Sequence, residues 1–191
     1  MAYSWCNDKR LETLSAEGEN GVLKFRAPGE ECVVHLQDGD ITRVVFTAKD
    51  KPAVEIAAKA AKAIVVGEGN ATRDVLHFLA PGGPAPTMRV GITHHRGAGT
   101  WSSLPHDFEL NTEPGFEEVF FYYLKGKPMR ALQLGRGVWF DNSAVDDVWP
   151  IGHETFGTVP MGYHPVVGEP GVNVSYVWVY LAKHARWEKV K

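Results

Sequence analysis

Glycine and proline punctuate this chain at short intervals, with 20 Gly and 12 Pro among 191 residues. Between them lie brief runs that favour strands: VVHL (33–36), TRVVFT (42–47), AIVVG (63–67), MRVGITHH (88–95), EEVFFYYL (117–124), ALQLG (131–135), GVWF (137–140), TFGTVP (155–160) and VNVSYVWVYLA (172–182). Branched and aromatic side chains suit a pleated surface, and turn residues at such spacing join strand to strand. The pattern predicts an all-β fold, a sandwich or a barrel. One piece, AVEIAAKAAKA (53–63), carries the alanine and lysine of a helix; it reads equally as a single turn before a strand.

The length suits one domain, or one domain with a sizeable extension, and is enough to bury a core. Character changes near residue 67. The first sixty or so residues are more charged and less aromatic, whereas 88–187 hold most of the Trp, Tyr and Phe. We therefore expect an N-terminal β-rich extension over 1–66 and a denser barrel over 67–191.

A formal net charge of −3, with no long basic stripe, gives no sign of a nucleic-acid partner. The longest apolar runs are too short to span a bilayer. The opening MAYSWCNDKRLE carries charges where a signal peptide needs an apolar stretch. Two cysteines, Cys6 and Cys32, are too few for a disulfide framework or a thiolate metal site. These features lead us to expect a cytoplasmic protein.

Chemistry can start from two stretches. In FEEVFFYYL (116–124), strand alternation sets Glu118, Phe120 and Tyr122 on one face and Glu117, Val119, Phe121 and Tyr123 on the other. One glutamate must share its face with the aromatic lining of a barrel, where a carboxylate is costly unless paired or bound to a metal. In VPMGYHPVV (159–167), His164 follows a Pro-Met-Gly bend. His106 lies in a Pro- and acid-containing connection, while His94 and His95, being adjacent, face opposite ways on a strand. No phosphate-cradling loop, CxxC, HExxH or nucleophile elbow occurs.

Four phrases in order, GEGNATRDVLHFL (67–79), GTWSSLPHD (99–107), EEVFFYYL (117–124) and VPMGYHPVV with VSYVWVYLA behind it, resemble the 5-deoxy-glucuronate isomerase family of inositol catabolism. That family is a cupin relative of 5-keto-4-deoxyuronate isomerase, and the likeness runs from about residue 65 to Trp187. It implies a cupin (RmlC-like jelly-roll) barrel, preceded by a degenerate partial cupin or β extension. It also implies that His164, Glu118 and His106 ligate a divalent transition metal (Zn, Mn, Fe or Ni), since His and carboxylate suit each of these. One departure stands out. The family has two histidines one residue apart after the WSS phrase, whereas here only His106 is present; if it takes the first place, Phe108 stands in the second.

The resemblance further implies aldose–ketose isomerisation of a deoxy-sugar acid, with Tyr122 or Tyr163 as proton donor and Gln133 as a substrate contact. A substrate carboxylate calls for a cationic side chain; Arg89, Arg130 and Arg136 lie on or near strands, and Arg130 is our candidate. Trp101, Ser102 and Ser103 read as shaping the turn before His106. A homodimer is expected, because small barrels hide strand edges by pairing. Two other functions fit the same residues: a non-catalytic cupin that binds a sugar acid or metal as a sensor, and metal-dependent oxygen chemistry.

Overall fold

The structure, a computed structural model, describes residues 1–102 and 116–182. They begin with β1 (Ser4–Trp5) and a meander of β2 (Ser15–Glu19), β3 (Val22–Ala27), β4 (Glu30–Gln37), β5 (Asp40–Ala48) and β6 (Val54–Ala57). Next come β7 (Lys62–Val66), β8 (Arg73–Leu79), β9 (Met88–His95) and β10 (Trp101–Ser102). The remainder holds β11 (Glu118–Gly126), β12 (Ala131–Val138), β13 (Ala144–Ile151), β14 (Thr155–Val159), β15 (Met161–Tyr163), β16 (Val166–Gly168) and β17 (Val172–Leu181). Only single 3-10 turns, at Ala58–Ala60 and Gly69–Ala71, interrupt the strands among the described residues. The stretch 53–63 is therefore strand, turn and the start of another strand. No helix among the described residues is long and apolar enough to cross a membrane.

A seven-stranded sheet, ordered β1-β14-β11-β17-β9-β8-β7, is the frame of the molecule. Its period-two alternation gives it two faces. One face offers Val119, Phe121, Val177, Val179, Val90 and Ile92 to the meander, whose Leu23, Phe25, Val34, Val44 and Phe46 complete a shared core. The opposite face carries Phe120, Tyr122, Leu124, Tyr176, Trp178 and Tyr180. A second sheet, β10-β16-β12-β13 with β15 beside β12, closes over that face with Ala131, Ile151 and Val166. This enclosure is the cupin barrel, and the meander is the β extension.

Carboxylates tie the two parts together. Buried Glu117 accepts backbone N–H bonds from Glu12, Thr13 and Leu14 at 3.0, 2.7 and 3.0 Å. Glu30, from β4, accepts from the backbone N–H of Thr87 and Met88 at 3.0 Å each, and from the Thr87 hydroxyl. The division expected at residue 66 falls between β7 and β8, which pair with each other in the barrel sheet.

Candidate functional site

Alternation along β11 sends Glu118 into the barrel and Glu117 out of it. Register places Glu118 opposite Tyr180 on β17, and Tyr180 opposite Arg89 on β9, so the three occupy one row across the inner face. The Glu118 carboxyl is 7% exposed, and burial alone pushes its pKa up to about 8. The imidazole of His164 faces it, with Oε2 and Nε2 3.9 Å apart.

The bend before His164 explains how the imidazole reaches that position. Gly162 has φ +124°, and a Cβ there would stand 2.5 Å from the carbonyl oxygen of Arg136, so only glycine lets β15 approach β12 this closely. The Gly162 carbonyl then accepts a hydrogen bond from His164 Nδ1 at 2.6 Å. A carbonyl can only accept, so the proton sits on Nδ1, and in the neutral ring Nε2 presents its lone pair toward Glu118. Behind it, the Gln133 amide donates to the carbonyls of His164 and Leu134 at 2.7 and 2.8 Å, while its oxygen accepts from the Tyr122 hydroxyl at 2.9 Å. Gln133 thus links the phenol of β11 to the backbone that carries His164.

These two side chains fit a divalent cation. In the neutral imidazole the Nε2 lone pair, with Nδ1 fixed by a carbonyl, and a buried carboxylate with no hydrogen-bond donor among the described residues are both ordinary ligands. A complete cage is not present: among the described residues no group of three or more His, Cys, Asp and Glu side chains is placed to hold a metal ion. The third expected ligand, His106, lies outside the described residues, as does Phe108.

Of the remaining candidates, Tyr122 is fully buried in the barrel, and burial raises its pKa well above the usual phenol value. Tyr163 pairs with Arg136 across β15 and β12 and shares that residue's outward face, away from His164. Arg130 sits on the outer surface, where its guanidinium pairs with Glu169 at 3.0 Å and is 68% exposed. Arg136 is likewise outside, paired with Asp146. The structure therefore brings Glu118, His164, Gln133 and Tyr122 together, but not Tyr163 or Arg130. Sequence reasoning missed Tyr180, the cross-strand neighbour of Glu118; of the three arginines it weighed, Arg89 is the one on the inner face, 1% exposed and donating to the carbonyls of Ala85, Pro86 and Met88. Both lie on the inner face by the same alternation that placed Glu118.

A family model described as "KduI/IolB family" matches residues 26–191. The chain belongs to that family. The match takes in β4 onward, and so includes most of the meander as well as the barrel. Among proteins of this family, the 5-deoxy-glucuronate isomerase of Bacillus subtilis (strain 168) is 27% identical over 130 residues, which is 64% of this chain and 45% of that protein. The enzyme of the same name from Geobacillus kaustophilus (strain HTA426) is 32% identical over 126 residues, 64% of this chain and 44% of that protein. The chain thus spans less than half the length of these curated relatives. An IolB-like protein from Salmonella typhimurium LT2 has the same fold, with a TM-score of 0.62 at 20% identity over 98% of this chain and 76% of the other.

Proposed function

We propose that this KduI/IolB family chain is a metal-dependent aldose–ketose isomerase acting on a deoxy-sugar acid of the 5-deoxy-glucuronate type. The observation that carries the proposal is the facing pair in the barrel: Glu118, buried and with no hydrogen-bond donor among the described residues, opposite His164 Nε2 at 3.9 Å. The names of the relatives supply the reaction class.

In this reaction a proton leaves the carbon beside the carbonyl, an enediolate forms, and a proton is returned to the former carbonyl carbon. A divalent cation held by Glu118, His164 and His106 would polarise the carbonyl and stabilise the developing negative charge. The chain's own residues orient the site, exclude water and move the oxygen-bound proton. Gln133 and Gly162 fix the orientation of His164. Phe120, Tyr176 and Trp178 line the barrel with apolar surface that keeps bulk water from the reacting carbons. Tyr122, protonated and tethered to Gln133, supports the site as a hydrogen-bonded phenol. Tyr180, beside Glu118, is the phenol we assign to moving a proton between the two oxygens. A homodimer belongs to the same proposal. β7 is the outer strand of the seven-stranded sheet, and Ile64 and Val65 on it are 39% and 57% exposed, which favours pairing with a second copy.

The test is interconversion of 5-deoxy-glucuronate and its ketose by protein loaded with Mn, Zn, Fe or Ni. Turnover that chelation abolishes and metal restores supports the proposal. An inactive metal-loaded protein, under conditions where a curated relative is active, overturns it in favour of a sugar-acid or metal sensor.

A further inference from the structure

A second polar pole lies in the same barrel interior. Strands β8 and β9 pair Arg73 with His95, so both side chains share a face. That face is the inner one. The His95 ring meets Tyr176 edge-on at 6.0 Å, and its Nε2 lies 2.5 Å from the hydroxyl of fully buried Ser102. The Ser102 hydroxyl lies 3.2 Å from that of Tyr176. Adjacent His94 points the other way, to Ser175 and to Asp40 of the meander.

What sets this pole apart is unused hydrogen-bonding capacity. Arg73 is 8% exposed, yet among the described residues its guanidinium makes one hydrogen bond, to the Ala71 carbonyl at 2.8 Å, and no carboxylate pairs with it. A guanidinium has five N–H donors, and a buried charge without a counter-ion is costly. His95 is 6% exposed, and its Nδ1 is buried with no hydrogen-bond partner. Buried Arg89 offers a contrast, with its guanidinium donating to the carbonyls of Ala85, Pro86 and Met88. Asp74, next in sequence to Arg73, pairs with Arg96 on the opposite face.

We propose that Arg73 and His95 form an oxyanion subsite of the isomerase cavity, which takes the carboxylate of the sugar acid. The guanidinium supplies charge-assisted hydrogen bonds. In the tautomer with the proton on Nδ1, Tyr176 donates to Ser102 and Ser102 to His95 Nε2, and the imidazole adds a neutral donor to the pole. Burial, reinforced by the charge of Arg73, lowers the His95 pKa to about 3, so the ring stays uncharged and the pole carries one positive charge. One positive charge matches a carboxylate better than a phosphate dianion. Ring-to-ring steps of 6.0 Å from His95 to Tyr176, 4.5 Å to Phe120 and 6.1 Å to His164 connect the pole to the candidate metal site through one continuous wall. The inference rests on the isomerase reading of this barrel.

Metal-loaded wild type, Arg73→Met, Arg73→Lys and His95→Gln are compared with 5-deoxy-glucuronate and with the neutral 5-deoxy-glucose, which has a hydroxymethyl group in place of the carboxylate. Arg73→Met is expected to raise KM for the acid by roughly 30-fold with kcat little changed, about the loss of one charge-assisted hydrogen-bonded pair. It should leave kcat/KM for the neutral sugar unchanged, Arg73→Lys should recover part of the loss, and His95→Gln should show a smaller rise for the acid alone. Equal losses for both sugars, or no change for the acid, overturn the subsite. If Arg73→Met does not fold, His95→Gln decides by the same comparison. If wild type turns over neither sugar, the isomerase reading has failed separately, and calorimetric titration with glucuronate then judges the subsite. Binding by wild type that Arg73→Met abolishes supports it; absent or unaltered binding overturns it.

Discussion

Glu117 and Glu118 are neighbours in sequence and point through opposite faces of one sheet: the first accepts three backbone N–H bonds from residues 12–14, and the second faces His164 at 3.9 Å inside the barrel. One fixes the extension to the barrel, and the other supplies the candidate ligand. The two substitutions should therefore separate stability from chemistry. Glu117→Ala strands three amide donors, and we expect a loss of about 3–5 kcal/mol in denaturant unfolding. Glu118→Ala in metal-free protein should cost far less, because it removes a buried carboxyl that no donor among the described residues satisfies.

The Glu118 carboxyl also makes a pH prediction for metal-stripped protein. Its folded pKa of about 8 lies above the ordinary carboxylate value, so the folded state holds the proton more tightly than the unfolded chain. The associated stability is present below about pH 4.5 and is lost as pH rises through about 8, with a magnitude on the order of 3–5 kcal/mol. Unfolding midpoints of metal-free wild type should fall across that window, while those of Glu118→Gln stay flatter. Saturating divalent cation should remove the decline.

Gln133→Leu keeps the volume but removes the amide that holds the His164 backbone and the Tyr122 hydroxyl. Orientation of the imidazole, not its identity, is lost. Metal affinity is expected to fall by about 10–100-fold, as for other changes to groups that orient ligands, and a competition titration with a chromogenic chelator measures it.

Gly91 tests the packing of the barrel wall. A Cβ at this position would lie 2.1 Å from the Trp178 ring and 2.5 Å from the Leu76 carbonyl. Gly91→Ala should destabilise by about 1–3 kcal/mol and shift the tryptophan fluorescence of the folded protein, because Trp178 must move.

Much of this was legible in the sequence because it is local. Alternation within FEEVFFYYL predicted that one glutamate would accompany Phe120 and Tyr122, and the Pro-Met-Gly bend marked His164. The same alternation, carried through β15, would have turned Tyr163 outward. Arg130 sits just before β12 and goes to the surface, where Glu169 pairs with it. Non-local register was not legible. Arg73 and His95 lie 22 residues apart and meet only because β8 pairs with β9 across an intervening turn. Strands β2 and β3 escaped notice because their solvent face carries Glu17, Lys24 and Arg26, which mask the buried Leu23 and Phe25. Strand β13 escaped because Asp146, Asp147 and Pro150 sit on an exposed edge.

The account turns on Glu118 and His164 sharing a cation, and elemental analysis of protein purified without chelator tests that directly. Wild type is predicted to carry a stoichiometric divalent transition metal, and Glu118→Gln and His164→Ala, each still folded, are predicted to lose it. Metal-free wild type that binds no added divalent cation, or metal retained equally by both variants, would contradict the account.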